Sequence, residues 1–236
     1  MDFIYQGLGA LLGGVYSFVG SYWFSIVIFT IIVKVLLVPL SFKQIQSTKA
    51  MNDVQPKLKK LQEKYKDDKE TLNIKMMELY KEHNINPLAG CLPLLIQMPI
   101  LFGLFRVLRE PVNYVFGGDA TLASEALNQT FLWISDISVP DSIGALIDTG
   151  VPFINGLPGV LPILAALTTY ISMALTTGKQ QQANQQMQTM QMMMPLMILW
   201  FGASMSAGLM IYWIVSNVFQ MGQQYIVPKL ANKEAA

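Results

Sequence analysis

The chain has 236 residues, 53% of them hydrophobic and only 13% charged, and its 16 basic and 15 acidic side chains nearly cancel to a net charge of +1. With a mean hydropathy of +0.41, this is the composition of a membrane protein rather than of an ordinary soluble domain. A single cysteine, Cys91, excludes an intrachain disulfide and any cysteine-based metal cluster.

Residues 1–20 lack a basic start and a compact apolar block, so no cleavable signal peptide is read there. Phe3, Ile4, Leu8, Leu11, Leu12, Val15 and Phe18 recur at helical spacing and predict an amphipathic helix lying on the outer leaflet. Residues 22–41 are long and apolar enough for a first span, yet they contain Lys34. In residues 43–84, Val54, Leu58, Leu61 and Tyr65 follow a +4, +3, +4 rhythm, and Leu72, Met76, Leu79 and His83 repeat it beyond the polar stretch KDDKE. This pattern predicts a cytoplasmic antiparallel helical hairpin with a coiled-coil seam, in which Pro56 is tolerable if a helix restarts there and His83 suits a last turn. Its Lys57, Lys59, Lys60, Lys64, Lys66 and Lys69 form a docking arm for anionic phospholipids, the ribosome or partner proteins.

A second span is predicted at residues 90–109, an extracellular amphipathic segment at 110–156, a third span at 157–175 and a polar linker at 176–190. The apolar run 192–227 is nearly twice what one crossing needs, so it divides at the small-residue stretch SMSAG into spans at 191–205 and 207–227, before a tail at 228–236. Met187, Met190, Met194 and Met197 fall on one face entering the fourth span; they read first as lipid-facing or packing methionines, and alternatively as flexible thioethers that suit unrelated apolar segments. The predicted fold is all-α, with five spans and a cytoplasmic hairpin.

Charge sets the orientation. Ten lysines between Lys43 and Lys81 outnumber the acids there, whereas residues 110–148 hold six acids and no Lys or Arg. The positive-inside bias therefore predicts the N-terminus outside and the C-terminus, with Lys229 and Lys233, in the cytoplasm; Lys179 falls in a cytoplasmic linker. Arg106 and Arg109 at the outer end of the second span run against this bias unless they snorkel to headgroups.

Lys34 lies seven residues from Ser41, or about 10 Å below the cytoplasmic end at about 1.5 Å per residue. By the same count Gln97, Thr168, Thr169 and Gln220 share its level, with Asn217 a turn deeper. Thr30, Lys34 and Ser41 share one face of the first span, and Trp213, Ser216, Asn217, Gln220 and Gln224 share one face of the fifth. A polar group in hydrocarbon needs a partner or water, and a centred lysine costs about 2.5 to 3.5 kcal/mol on insertion scales. These residues therefore predict one positively charged groove, wet from the cytoplasm and closed to the outside, because the outer halves of the spans are apolar.

Three stretches carry a resemblance: NPLAGCLPLLIQMPI (residues 86–100), FLWISDISVPD (131–141) and SAGLMIYWIVSNVFQMGQQY (206–225). They resemble the signatures of the YidC/Oxa/Alb family of membrane protein insertases, in the right order and across about residues 22–228; the absence of a large extracellular domain is similar to the shorter Gram-positive members. The resemblance implies five core helices around a hydrophilic groove open to cytoplasm and lipid, a bacterial cell-membrane location, and no cofactor. The family's groove commonly carries arginine where this chain has Lys34, which supplies a point charge without a bidentate fork. The family's PAGL pattern is Ser206-Ala207-Gly208-Leu209 here, which implies a less rigid turn.

The expected clients are nascent single-span membrane proteins with acidic N-terminal tails, received by a monomer working alone or beside the Sec translocon. Catalysis is not expected, since no HExxH, GxSxG, Walker or Rossmann pattern occurs. The rival reading is an ion- or proton-coupled transporter using Lys34, weakened by the lack of an internal repeat and of an acid within any span.

Overall fold

The computed structural model describes residues 2–83, 85, 92–176 and 185–234. Cys91, Lys179 and residues 86–91 of the first motif lie outside them, as do the side chains of Met187, Met190, Lys229 and Lys233. The described chain is helical, with only three isolated β-bridges. Its helices are α1 (Asp2–Val19), α2 (Tyr22–Leu36), α3 (Val38–Lys64), α4 (Lys69–Glu82), α5 (Leu92–Arg109), α6 (Pro111–Tyr114), α7 (Ala120–Leu127), α8 (Ile143–Leu146), α9 (Pro152–Asn155), α10 (Val160–Thr176), α11 (Gln185–Gly202) and α12 (Ala207–Glu234).

Among the described residues no single helix is both long and apolar enough to cross a membrane alone; α2 and α3 qualify together, but they meet at 64°. The straight first span expected from the sequence is thus broken at Leu37. Pro39, in the first turn of α3, lacks an N–H for the carbonyl four residues back, and its ring crowds that carbonyl. Pro56, by contrast, restarts nothing: it lies inside α3, on an exposed face where the carbonyl it frees can meet water. The apolar run after the polar linker breaks between Gly202 and Ala207, and α11 begins at Gln185, because Gln and Met are good helix formers even where the chain is polar.

The first two turns of α12 form the centre of the bundle. Leu209, Met210, Ile211 and Tyr212 are buried, and α2, α5 and α10 pack around them. One collar of irregular chain ties the ends of these helices together. Val139 and Ile137 accept, through their carbonyls, from Ala207 N–H (2.8 Å) and Gly208 N–H (3.0 Å), so the second motif satisfies two orphan donors at the start of α12. These bonds also hold the Ser206-Ala207-Gly208 turn, and a Cβ on Gly208 would press on Ile137 and Ile26 at 3.1 Å. Buried Asp141 accepts from Leu161 N–H (2.6 Å) in the first turn of α10 and from Trp133 Nε1 (3.2 Å). Gln129 Oε1 accepts from Tyr22 N–H (2.9 Å) at the start of α2, while its Nε2 donates to the Gly20 carbonyl (2.9 Å).

Helix α1 packs against α2 and α5 through Leu8 and Leu12 rather than resting wholly on a surface. Gly9 and Gly13 let it lie against the Tyr114 and Val115 carbonyls, where added Cβ atoms would sit at 2.2 and 2.5 Å. In the hairpin, Val54 and Leu58 of α3 are buried with Leu79 of α4, and Leu61, Met76 and Tyr80 pack against them. Asp68 caps α4 by accepting from Thr71 N–H (3.0 Å), and that interaction holds its carboxyl below the ordinary value.

Asp141→Ala should lower stability by about 1 to 3 kcal/mol, since it leaves the Leu161 N–H buried without an acceptor and removes the Trp133 contact. Thermal unfolding of the detergent-solubilised protein checks this: a clear fall in Tm is expected for Ala and a smaller one for Asn, and an unchanged Ala variant would refute the collar's role.

Candidate functional site

The bundle buries polar side chains within a largely apolar core and exposes large apolar ones. Ser25, Thr30, Lys34, Thr169, Ser172, Ser216 and Asn217 are buried, while Ile163, Leu167, Leu196 and Trp200 are more than half exposed. Polar side chains inside and large apolar ones outside fit a chain solvated by hydrocarbon.

The polar residues of α10 and α12 form a bonded cluster. Thr169 Oγ1 accepts from Trp213 Nε1 (3.0 Å) and Asn217 Nδ2 (2.8 Å) while donating to the Ala165 carbonyl (2.7 Å), which uses the whole capacity of a hydroxyl. The second proton of Asn217 Nδ2 goes to Thr168 Oγ1 (3.1 Å), whose own hydrogen points back to the Leu164 carbonyl (2.8 Å). From α5, Gln97 Nε2 donates to Tyr212 Oη (2.7 Å), a hydroxyl that Ser216 also engages. Farther along, Gln224 Nε2 donates to Thr176 Oγ1, and Asn52 of α3 donates to the Thr176 carbonyl (3.3 Å).

Lys34 occupies the last turn of α2, and its side chain is only 9% exposed. Among the described residues it makes neither an ion pair nor a hydrogen bond. The bend at Leu37 alters the depth inferred for a straight span: the lysine sits at a helix end, where the carboxyl pole of the helix dipole favours a cation. Thr30, one turn earlier, is fully buried and donates to the Ile26 carbonyl (2.6 Å), so its hydroxyl needs no other partner.

Of the residues expected in the site, the structure bonds Asn217 to Thr168, joins it to Trp213 through Thr169, and ties Gln97 to the Tyr212 and Ser216 pair. Thr30 and Lys34 are buried on α2, which packs on α12. Gln220 is half-buried, and its side chain makes no hydrogen bond among the described residues. Tyr212 is absent from the residues the sequence singles out; its position one turn before Ser216 is the signal that could have found it.

The six hairpin lysines are exposed. Lys57 Nζ lies 2.8 Å from His83 Nε2, while His83 Nδ1 lies 3.0 Å from the Leu79 carbonyl, which fits a neutral ring whose Nδ1–H donates back along α4. Lys64 rests over the Tyr65 ring at 5.2 Å. Arg106 pairs with Glu110 at 2.9 Å and Arg109 lies against Phe105, so the two arginines that run against the charge bias are engaged locally. Met194 packs against the core and Met197 is half exposed, so the side of α11 that carries both lies at the edge of the bundle.

Comparison with known proteins gives one answer. Residues 14–234 match the family model described as 60Kd inner membrane protein. The "Membrane protein insertase YidC" of Fusobacterium nucleatum is 37% identical over 233 residues, covering 97% of this chain and 98% of the relative. The protein of the same name from Pelodictyon phaeoclathratiforme is 39% identical over 215 residues, and the match spans 90% of this chain but only 34% of that relative's length. Among solved structures, "Active YidC insertase crystal structure with the first transmembrane domain resolved" matches with TM-score 0.69 and 24% identity over 95% of this chain and 46% of that one, a likeness of fold.

Thr169→Val should destabilise the protein by about 1 to 3 kcal/mol, because the Trp213 indole and one Asn217 proton lose their shared acceptor inside the bundle. Thr169→Ser keeps that acceptor and should stay near wild type in thermal unfolding, so equal losses in the two variants would contradict the network.

Proposed function

The chain belongs to the 60Kd inner membrane protein family, and from that premise we propose that it inserts nascent membrane proteins into the bilayer and assists their folding. The observation that carries this reading is the buried, acid-free Lys34 in a bundle whose polar side chains cluster inside while its outer surface is apolar. The family's members are membrane insertases rather than enzymes, which fits a site whose task is to solvate a segment in transit.

In this proposal five helical segments traverse the membrane with the N-terminus outside and the C-terminus in the cytoplasm, and Thr30, Lys34, Gln97, Thr168, Trp213, Ser216, Asn217 and Gln220 line a groove entered from the cytoplasm. The short acidic tail of a single-span client enters first. Lys34 replaces part of the water of each carboxylate, and the Gln97 and Asn217 amides replace part of the water of the peptide groups, so the dehydration barrier falls. A charge pair separated by about 6 Å at an effective dielectric near 20 is worth about 3 kcal/mol. The client's apolar segment then slides outward and partitions into lipid, driven by its own transfer free energy of about 25 cal/mol per Å². The membrane potential assists an acidic tail by about 2.3 kcal/mol per charge per 100 mV, so no nucleotide is needed. The exposed hairpin lysines receive the ribosome, the Sec translocon or anionic lipid.

The test is insertion of a small single-span protein with an acidic tail into proteoliposomes holding only this chain, read by protease protection. Wild type should insert it, Lys34→Met should insert it about tenfold less well, Lys34→Arg should retain most activity, and a neutral-tailed client should be little affected by either change. Insertion no better than in empty liposomes would refute the proposal, and equal loss for both clients would refute the role of charge.

A further inference from the structure

Between the collar and α10 the chain forms a small closed loop. Ile143 N–H donates to the Leu157 carbonyl (3.0 Å) across its base, beside a bridge between Ser142 and Pro158. Inside, Asn155 Oδ1 accepts from both the N–H (3.0 Å) and the hydroxyl (2.7 Å) of Thr149, and Asn155 Nδ2 donates to Asp148 Oδ1 (2.7 Å). That carboxylate also accepts from Gly150 N–H (3.0 Å), and these bonds hold it below the ordinary carboxylate range, so the knot is charge-assisted at neutral pH. Gly150 has φ +68°, and a Cβ on Gly144 would stand 2.7 Å from that of Asn155, so the close approach of α8 and α9 needs both glycines.

The loop's polar groups are tied to one another at the surface, with Asp148 and Thr149 exposed, whereas its large apolar side chains are exposed without such partners. Phe153 is 75% exposed and Ile147 69%, with Leu146, Val151 and Ile154 beside them. The neighbouring helix supplies the reason. Helix α10 has 17 residues, hence a length of about 25 Å at about 1.5 Å per residue, which falls short of a hydrocarbon core of about 30 Å. The exposed apolar face of α10 begins at Val160, two residues beyond the bridge that closes the loop, so the loop prolongs that face past the helix's first turn.

We propose that the loop of residues 143–157 is a wedge in the outer leaflet, with Phe153 and Ile147 inserted at the boundary of headgroups and acyl chains to supply the hydrophobic thickness that α10 lacks. The proposal rests on the orientation above, in which α10 starts at the outer face. Its occupant is acyl chain rather than anionic headgroup, since neither Lys nor Arg occurs between Arg109 and Lys179.

Nitroxide labels at Phe153→Cys and Ile147→Cys, with Ala120→Cys as an aqueous control, all in a Cys91→Ser background, test this in proteoliposomes by collision with oxygen and with a water-soluble nickel chelate. Both loop sites should favour oxygen several-fold while residue 120 favours nickel. Nickel-dominated spectra at 147 and 153 would overturn the wedge, and so would shielding from both reagents, which is the signature of a protein partner or second copy. Client insertion by the same labelled samples separates the two readings: intact insertion with water-exposed labels defeats the wedge alone, whereas lipid-exposed labels without insertion support the wedge and defeat the function.

Discussion

Lys34 is an ammonium held inside a helical bundle whose outer surface is apolar, and the described residues give it no counter-charge. Keeping such a charge in place costs about 2.5 to 3.5 kcal/mol even on lenient scales, so the surroundings must return most of that. One feature contributes: the bend at Leu37 puts the lysine at the carboxyl end of α2, where the dipole favours a cation. A carboxylate placed beside Lys34 would satisfy it more fully and would also leave nothing to attract an acidic segment.

The rest of the architecture keeps that arrangement in register. Helix α12 is fixed at its start by the Ile137 and Val139 carbonyls, α10 by Asp141 and α2 by Gln129, so a single stretch of irregular chain sets the relative heights of three helices. The Thr169, Trp213 and Asn217 bonds then hold α10 and α12 together at the level of the cluster. Because each of these bonds is internal, the polar groups of the cluster are held in place by the protein alone, which the proposed function requires of a surface that substitutes for water.

Much of this was legible in the residues. Periodicity located the hairpin seam through Val54, Leu58 and Leu79; level counting singled out Thr168 and Thr169, and the shared face of the last span singled out Trp213 and Asn217, which meet them a turn away from the level counted for Gln220. What escaped was long-range. The bend at Leu37 depends on Pro39 acting on a chain that still reads as one apolar run, so straight-helix counting misjudged the setting of Lys34. Nothing local marks Asp141 as the cap of a helix 20 residues away, or Gln129 as the acceptor for Tyr22, since those partners are set by tertiary packing. Nor does anything local tie Gly9 and Gly13 to the Tyr114 and Val115 carbonyls that they accommodate.

The central claim is that the cluster beside Lys34 is wet from the cytoplasm and sealed from the outside. Single cysteines replacing Gln97, Thr168 and Gln220 in a Cys91→Ser chain, with Ile26→Cys as the buried control, can be treated with a membrane-impermeant maleimide in inverted and right-side-out vesicles. The account predicts modification at 97, 168 and 220 only when the reagent meets the cytoplasmic face, and none at residue 26. Modification from the outer face, or silence at all three cluster positions from both sides, would contradict it.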